Sequence, residues 1–225
     1  SAAITAHKGM NTATWTSPMN YPAMFAIPPG IVMWQGGGGG GPKVPPGTYT
    51  LKVSMGSWSQ TQTFHLGADP RYQPTMTDAE GLAQLKMAQE VGAWCKALYD
   101  NLAKIRDAKK QANDIAEKTP AMAAAAKTLL DRLVAVERDM TQLQGVAGSQ
   151  DSLNFPGRFD NQITALYSSI ANLERKAGTA VTERYADLKP QYDQMAERWG
   201  SALAQGVGTF NTAATKAGAA TIVIK

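Results

Sequence analysis

The side chains that could do chemistry are few and scattered. The chain has two histidines, His7 and His65. Neither has a cysteine, aspartate or glutamate nearby in sequence at a metal-ligand spacing. No G-x-S-x-G pattern marks a strained nucleophile turn. Cys95 is the one cysteine, which excludes an internal disulfide and any multi-cysteine metal site. It falls among apolar helix positions and reads as a small buried hydrophobe. Glu90, Asp100, Asp114, Glu137, Glu174 and Glu197 sit beside lysines and arginines in helical patterns, so each reads as part of a solvated face. The six glycines at 36–41 contain G-x-G-x-x-G by repetition alone. A dinucleotide or phosphate loop needs a helix next, and Pro42, Pro45 and Pro46 forbid one; Gly41-Pro42-Lys43 also lacks the Gly-Lys-Ser/Thr order. The run therefore reads as a flexible loop, with Trp34 before it either a lid on a core or an anchor for a partner. No catalytic constellation, metal-ligand set or cofactor site emerges, and the expectation is a chain that is not an enzyme.

The elements around these residues follow two grammars. Up to about residue 70 the pattern is that of strands. "NTATWTS" alternates around Trp15. "GTYTLKVSMG" puts Tyr49, Leu51, Val53 and Met55 on one face, with Thr48, Thr50, Lys52 and Ser54 on the other. "SQTQTFHL" follows after a Gly56-Ser57 turn. Period-two alternation of β-branched and aromatic residues marks half-buried strands. From residue 76 the period becomes helical. Thr77 and Glu80 form a capping-box signal. Leu85, Ala88, Cys95, Leu98, Leu102 and Ile105 then open a seam of three- and four-residue steps that runs to Ile115. Thr119 and Pro120 divide it from a second helix through Met122, Leu129, Leu133 and Met140 to Gly145. A third helix should start near Pro156 and end at Gly178. A fourth should carry Val181 to Phe210, kinked or broken at Pro190. The predicted architecture is α+β in two parts: a small antiparallel Ig-like β-sandwich over 1–75, then an antiparallel up-down four-helix bundle over 76–217, with an extended tail at 218–225.

Composition sets outer limits. With 225 residues, 44% hydrophobic and 18% charged, the chain is too apolar for a disordered protein. No apolar run is long enough to span a bilayer. The formal charge is +4, but no lysine–arginine cluster marks a nucleic-acid patch. Residues 10–35 are oily for a Pro- and Gly-rich connection, and such a stretch needs cover. Trp15, Met19, Tyr21, Met24, Phe25, Ile31, Met33 and Trp34 are accordingly the candidate partner-binding residues.

"GPKVPPGTYTLKVSMGSWSQTQTFHLGADPR" (41–71) resembles the Ig-like segment that closes exported BNR/sortilin-type β-propeller proteins of the glycosyl-hydrolase-like kind. "SLNFPGRFDNQITALYSSI" (152–170) and "QYDQMAERWGSALAQGVGTFN" (191–211) resemble the helical tail of the same proteins. The resemblance covers residues 10–218. It implies a periplasmic or other extracytoplasmic location, and a C-terminal fragment of a longer precursor whose propeller carries any sugar chemistry. The overall layout is also similar to that of a periplasmic accessory subunit of bacterial photosynthetic reaction centre–light-harvesting complexes. That likeness implies a non-catalytic structural subunit, peripheral to the membrane, whose partners are other protein subunits. The alternative is an accessory carbohydrate-binding tail, with Trp15, Trp34 and Trp58 as aromatic platforms.

Overall fold

A computed structural model describes residues 5–12, 20–33, 39–144 and 154–224. The chain is mixed α+β, and its described residues form a two-stranded antiparallel sheet and four α-helices. Strands β1 (Gly47–Met55) and β2 (Trp58–Leu66) form a single hairpin. Gly56, at φ 58°, opens its two-residue turn, and Ser57 keeps a negative φ. That combination is the first-position glycine of a II′ turn, whose twist matches the flanking strands. The second layer of the expected sandwich is not formed by the described residues. Most of its expected first strand, 11–17, lies outside them.

Helix α1 (Asp78–Lys118) opens on the expected capping box. The Glu80 amide donates to Thr77 Oγ1 at 3.2 Å, and the Thr77 amide donates to Glu80 Oε2 at 3.0 Å. The end differs in detail from the expectation. Thr119 makes no side-chain cap, and Pro120–Met122 form a single 3₁₀ turn before α2 (Ala123–Met140). Helix α3 (Phe159–Ala171) stops well before Gly178. Gly178 instead caps the start of α4 (Thr179–Lys216), which runs unbroken through Pro190.

The packing order corrects the up-down bundle. Arg106 and Lys109 meet Glu137, which sets α1 and α2 antiparallel. Gln84 reaches the Ile170 carbonyl, and Cys95 and Tyr99 reach Thr164, so α3 is antiparallel to α1 as well. Asp139 meets Arg198 while Arg132 meets Gln205, so α4 opposes α2. Glu90 and Tyr185 at one end, and Gln111 and the tail after α4 at the other, make α4 parallel to α1. The directions are therefore up, down, down, up. Helices α2 and α3 form one interrupted column beside two long ones, α1 being about 60 Å long at 1.5 Å per residue. The interruption has a visible anchor. Thr141, at the end of α2, donates to Asp160 Oδ2 at 2.6 Å, in the first turn of α3.

Leu98, Leu102, Ile105, Leu133, Met140, Ile163, Ile170 and Leu188 are wholly buried between the columns. Trp94 of α1 is stacked between Tyr185 and Tyr192 of α4, with centroids at 5.4 and 5.0 Å. Those tyrosines are seven residues apart, a rise of about 10.5 Å, which is the thickness of such a three-ring stack. Past α4 the tail is extended and strapped down. Asn211 bonds both backbone groups of Ile222, and Gln111 does the same for Val223.

Candidate functional site

The oily segment finds cover within its own chain. Phe25, Ile31 and Val32 are buried, and Met24, Ile27 and Met33 pack against the same core. Phe25 lies 5.9 Å from the Tyr99 ring and edge-on to Tyr167 at 5.2 Å. Asn161 Nδ2 donates to the Val32 carbonyl at 3.1 Å, and Tyr99 Oη donates to Met33 Sδ at 3.7 Å. Tyr21 is half-buried, and its amide donates to the Pro42 carbonyl at 2.9 Å. Phe25 is thus closed against α1 and α3 rather than open to a partner, and Ile31 is buried in the same core. Trp15, Met19 and Trp34 lie outside the described residues.

The last glycines of the run explain how that segment is held, and they correct the reading of the run as a free loop. The Met24 amide donates to the Gly39 carbonyl at 2.9 Å. A Cβ at Gly39 would collide with the Phe25 carbonyl, and one at Gly41 with the Tyr21 carbonyl. Tyr167 Oη donates to the Gly40 carbonyl. Glycine here permits two backbones to touch. On α1, a Cβ at Gly92 would meet Met24 at 3.0 Å and one at Gly81 would meet Pro45 at 3.0 Å. These positions are eleven residues apart, on one helix face. They form the bed on which the N-terminal part lies.

The surface left uncovered is the hairpin. Register pairs Tyr49 with Phe64, Leu51 with Gln62, Val53 with Gln60 and Met55 with Trp58. All eight share one face. Its exposures are 50% for Leu51, 46% for Val53, 65% for Met55, 51% for Trp58 and 37% for Phe64. The opposite face carries Thr48, Thr50, Lys52, Ser54, Ser59, Thr61, Thr63 and His65. Both outer edges pair with no other strand among the described residues. The Met55–Trp58 pair closes a two-residue turn, so it exchanges both ladder hydrogen bonds and the alternate residues point outward. The backbone amides of Thr48, Thr50, Lys52 and Ser54 line one edge; those of Ser59, Thr61, Thr63 and His65 line the other. The base is fixed to the bundle: Tyr49 Oη donates to the Pro45 carbonyl at 2.7 Å, and His65 Nε2 lies 3.2 Å from Asp78 Oδ2.

The interior polar groups are mutually engaged. Burial pushes the Cys95 thiol up to about 12, which removes its nucleophilic form at neutral pH. Desolvation raises the fully buried Asp160 carboxyl above the usual range, against hydrogen bonds from Thr141 and Asn161. Glu137 corrects the reading of it as a solvated carboxylate: it is buried, bonded by Arg106 Nε at 2.8 Å and Lys109 Nζ at 2.6 Å. It stands four residues after Leu133, on the helix's own seam, and that spacing was its signal. No group of three or more His, Cys, Asp or Glu converges on a common point among the described residues. Among the described residues no helix is long and apolar enough to cross a membrane. Comparison with family models, with curated proteins and with solved structures gives no match to this chain.

Proposed function

We propose that this chain is a non-catalytic structural subunit that docks onto another polypeptide through the apolar face of its hairpin. The observation that carries this reading is the exposure of Leu51, Val53, Met55, Trp58 and Phe64 on one face of a ribbon with two open edges. A lone two-stranded hairpin is marginal in water and gains stability when its apolar face is covered. The occupant is a β-sheet of a different protein, supplying the second layer of an Ig-like sandwich. Strands of nine residues span about 30 Å and two of them about 10 Å. Two copies stacked face to face would thus cover only about 600 Å² in total, below the roughly 1,200–2,000 Å² of a stable interface. A wider sheet that covers the face and adds a strand at an edge supplies the missing area.

The setting we propose is the periplasmic face of a membrane-associated complex, with a photosynthetic reaction centre–light-harvesting assembly as the particular case. That setting rests on the resemblance of residues 41–71, 152–170 and 191–211 and on the overall layout. A photo-cross-linker at Leu51 or Gln62, activated in native membranes, tests the docking. The account expects saturable cross-links to a strand of one subunit, abolished by Val53→Lys. Cross-links only to a second copy, or none, overturn it. The exposed Trp58 favours one other reading, a carbohydrate-binding tail. Glycan-array binding lost in Trp58→Ala would favour that reading over docking.

A further inference from the structure

A different surface carries an independent inference, at the junction where the middle column is interrupted. A concavity of about 350 Å³ opens there, lined by Arg138, Gln142, Leu143, Gln144 and Arg158. Arg138 stands in the last turn of α2, and Arg158 is the residue that precedes α3. Three of the cations that bind the columns together have acidic partners: Arg106 and Lys109 meet Glu137, and Arg198 meets Asp139. Arg138 and Arg158 form no ion pair or hydrogen bond of this kind with a described residue, and no carboxylate among the described residues lines their cavity. Arg158 Nε is moreover a buried donor without an acceptor, the one such side-chain atom among the described residues. A buried unsatisfied donor costs about 1–3 kcal/mol, and more when the group is charged. Two guanidiniums facing one cavity, with no carboxylate in its described lining, add repulsion.

The rest of the described lining is neutral. The Gln142 side chain is held in place: its Nε2 donates to the Pro156 carbonyl at 2.9 Å, and its Oε1 accepts from the Gln144 amide at 2.9 Å. The first turn of α3, which lacks a side-chain cap, begins directly after Arg158. A helix N-terminus adds partial positive charge there. The nearest acid in sequence, Asp160, is fully buried and spends its oxygens on Thr141 and Asn161.

We propose that this cavity is a binding site for a phosphate-class oxyanion, clamped between the guanidiniums of Arg138 and Arg158. Guanidinium presents a planar fork of donors that matches phosphate oxygens two at a time. The volume exceeds that of the bare ion, and Leu143 offers an apolar wall for an organic substituent. A soluble phosphate ester and a phospholipid headgroup share this chemistry.

The test uses the full chain. Inorganic phosphate is titrated against chloride at matched ionic strength, and stabilisation is read as a melting shift, since a ligand specific to the native state stabilises by mass action. Sedimentation with vesicles of phosphatidylglycerol in phosphatidylcholine, against phosphatidylcholine alone, forms the second arm. The expected result is a saturable phosphate shift that weakens roughly tenfold in Arg138→Gln, the loss of one charged hydrogen bond. Arg138 is exposed, so this variant keeps the fold. Arg158→Lys should weaken the shift similarly, because it keeps the charge and loses the fork. Vesicle binding that Arg138→Gln removes assigns the site to a headgroup. A phosphate shift without vesicle binding assigns it to a soluble ester. A shift no larger than that of chloride, or one unchanged in Arg138→Gln, overturns the proposal.

Discussion

Replacing Phe25 by alanine distinguishes a segment that belongs to the core from one that awaits a partner. Phe25 is buried between the rings of Tyr99 and Tyr167, at 5.9 and 5.2 Å. Truncating a buried phenylalanine costs about 3–5 kcal/mol, from lost transfer energy and the cavity left behind. Gly39 and Gly41 hold the backbone around Phe25 in direct contact with its neighbours, so the site has little freedom to collapse. The upper half of that range is therefore expected. For a chain of this size each kcal/mol moves the melting temperature by about 2–4 °C, giving a drop of about 8–20 °C. The assay is urea and thermal unfolding of the isolated chain, with Trp58→Ala as the companion. Trp58 is half exposed and touches mainly its own hairpin, so its loss should cost at most about 1 kcal/mol. A Phe25→Ala cost within about 0.5 kcal/mol would refute the reasoning, since that is the behaviour of a surface residue.

Three further outcomes follow from named contacts. Gly41→Ala should destabilise by several kcal/mol in denaturant melts, because its methyl meets the Tyr21 carbonyl backbone, whereas Gly40→Ala, with open space around it, should cost far less. Glu137→Ala leaves Arg106 and Lys109 without their shared carboxylate, but both cations keep part of their surface in water; the loss of their charged hydrogen bonds should cost about 1.5–3 kcal/mol, readable by urea titration. Glu80 is held at about 2 by the Lys176 ammonium and then by the Thr77 amide and hydroxyl. Its folded value lies below its ordinary one, so its contribution is present above about 4.5 and fades as pH falls toward 2. Glu80→Gln should flatten the acid limb of stability, and high salt should shrink the difference, the group being exposed.

Helices and hairpin were legible because each rests on a local rule. The alternation of Tyr49, Leu51, Val53 and Met55 fixed the strand faces, and Thr77 with Glu80 fixed the start of α1. What local rules do not carry is which surfaces meet. The oily stretch around Phe25 needs cover, and sequence alone offers no way to choose a partner's surface over α1 and α3. The glycines look like a free loop until the carbonyls of Tyr21 and Phe25 are placed against Gly41 and Gly39. The up-down order failed because a helix of 18 residues and one of 13 stack into one column, held by the Thr141–Asp160 bond. The exposed face of the hairpin was visible as alternation, yet that no other described strand covers it appears only in three dimensions. Arg138 and Arg158, twenty residues apart, gave no signal in sequence, because their place on one cavity depends on that same interruption.

The docking of the hairpin is tested most directly by amide hydrogen exchange on the chain alone and within native membranes. The account predicts that amides of one edge, either Thr48, Thr50, Lys52 and Ser54 or Ser59, Thr61, Thr63 and His65, exchange freely in isolation and become protected together in the assembly. Equal exchange of both edges in the two states would contradict it.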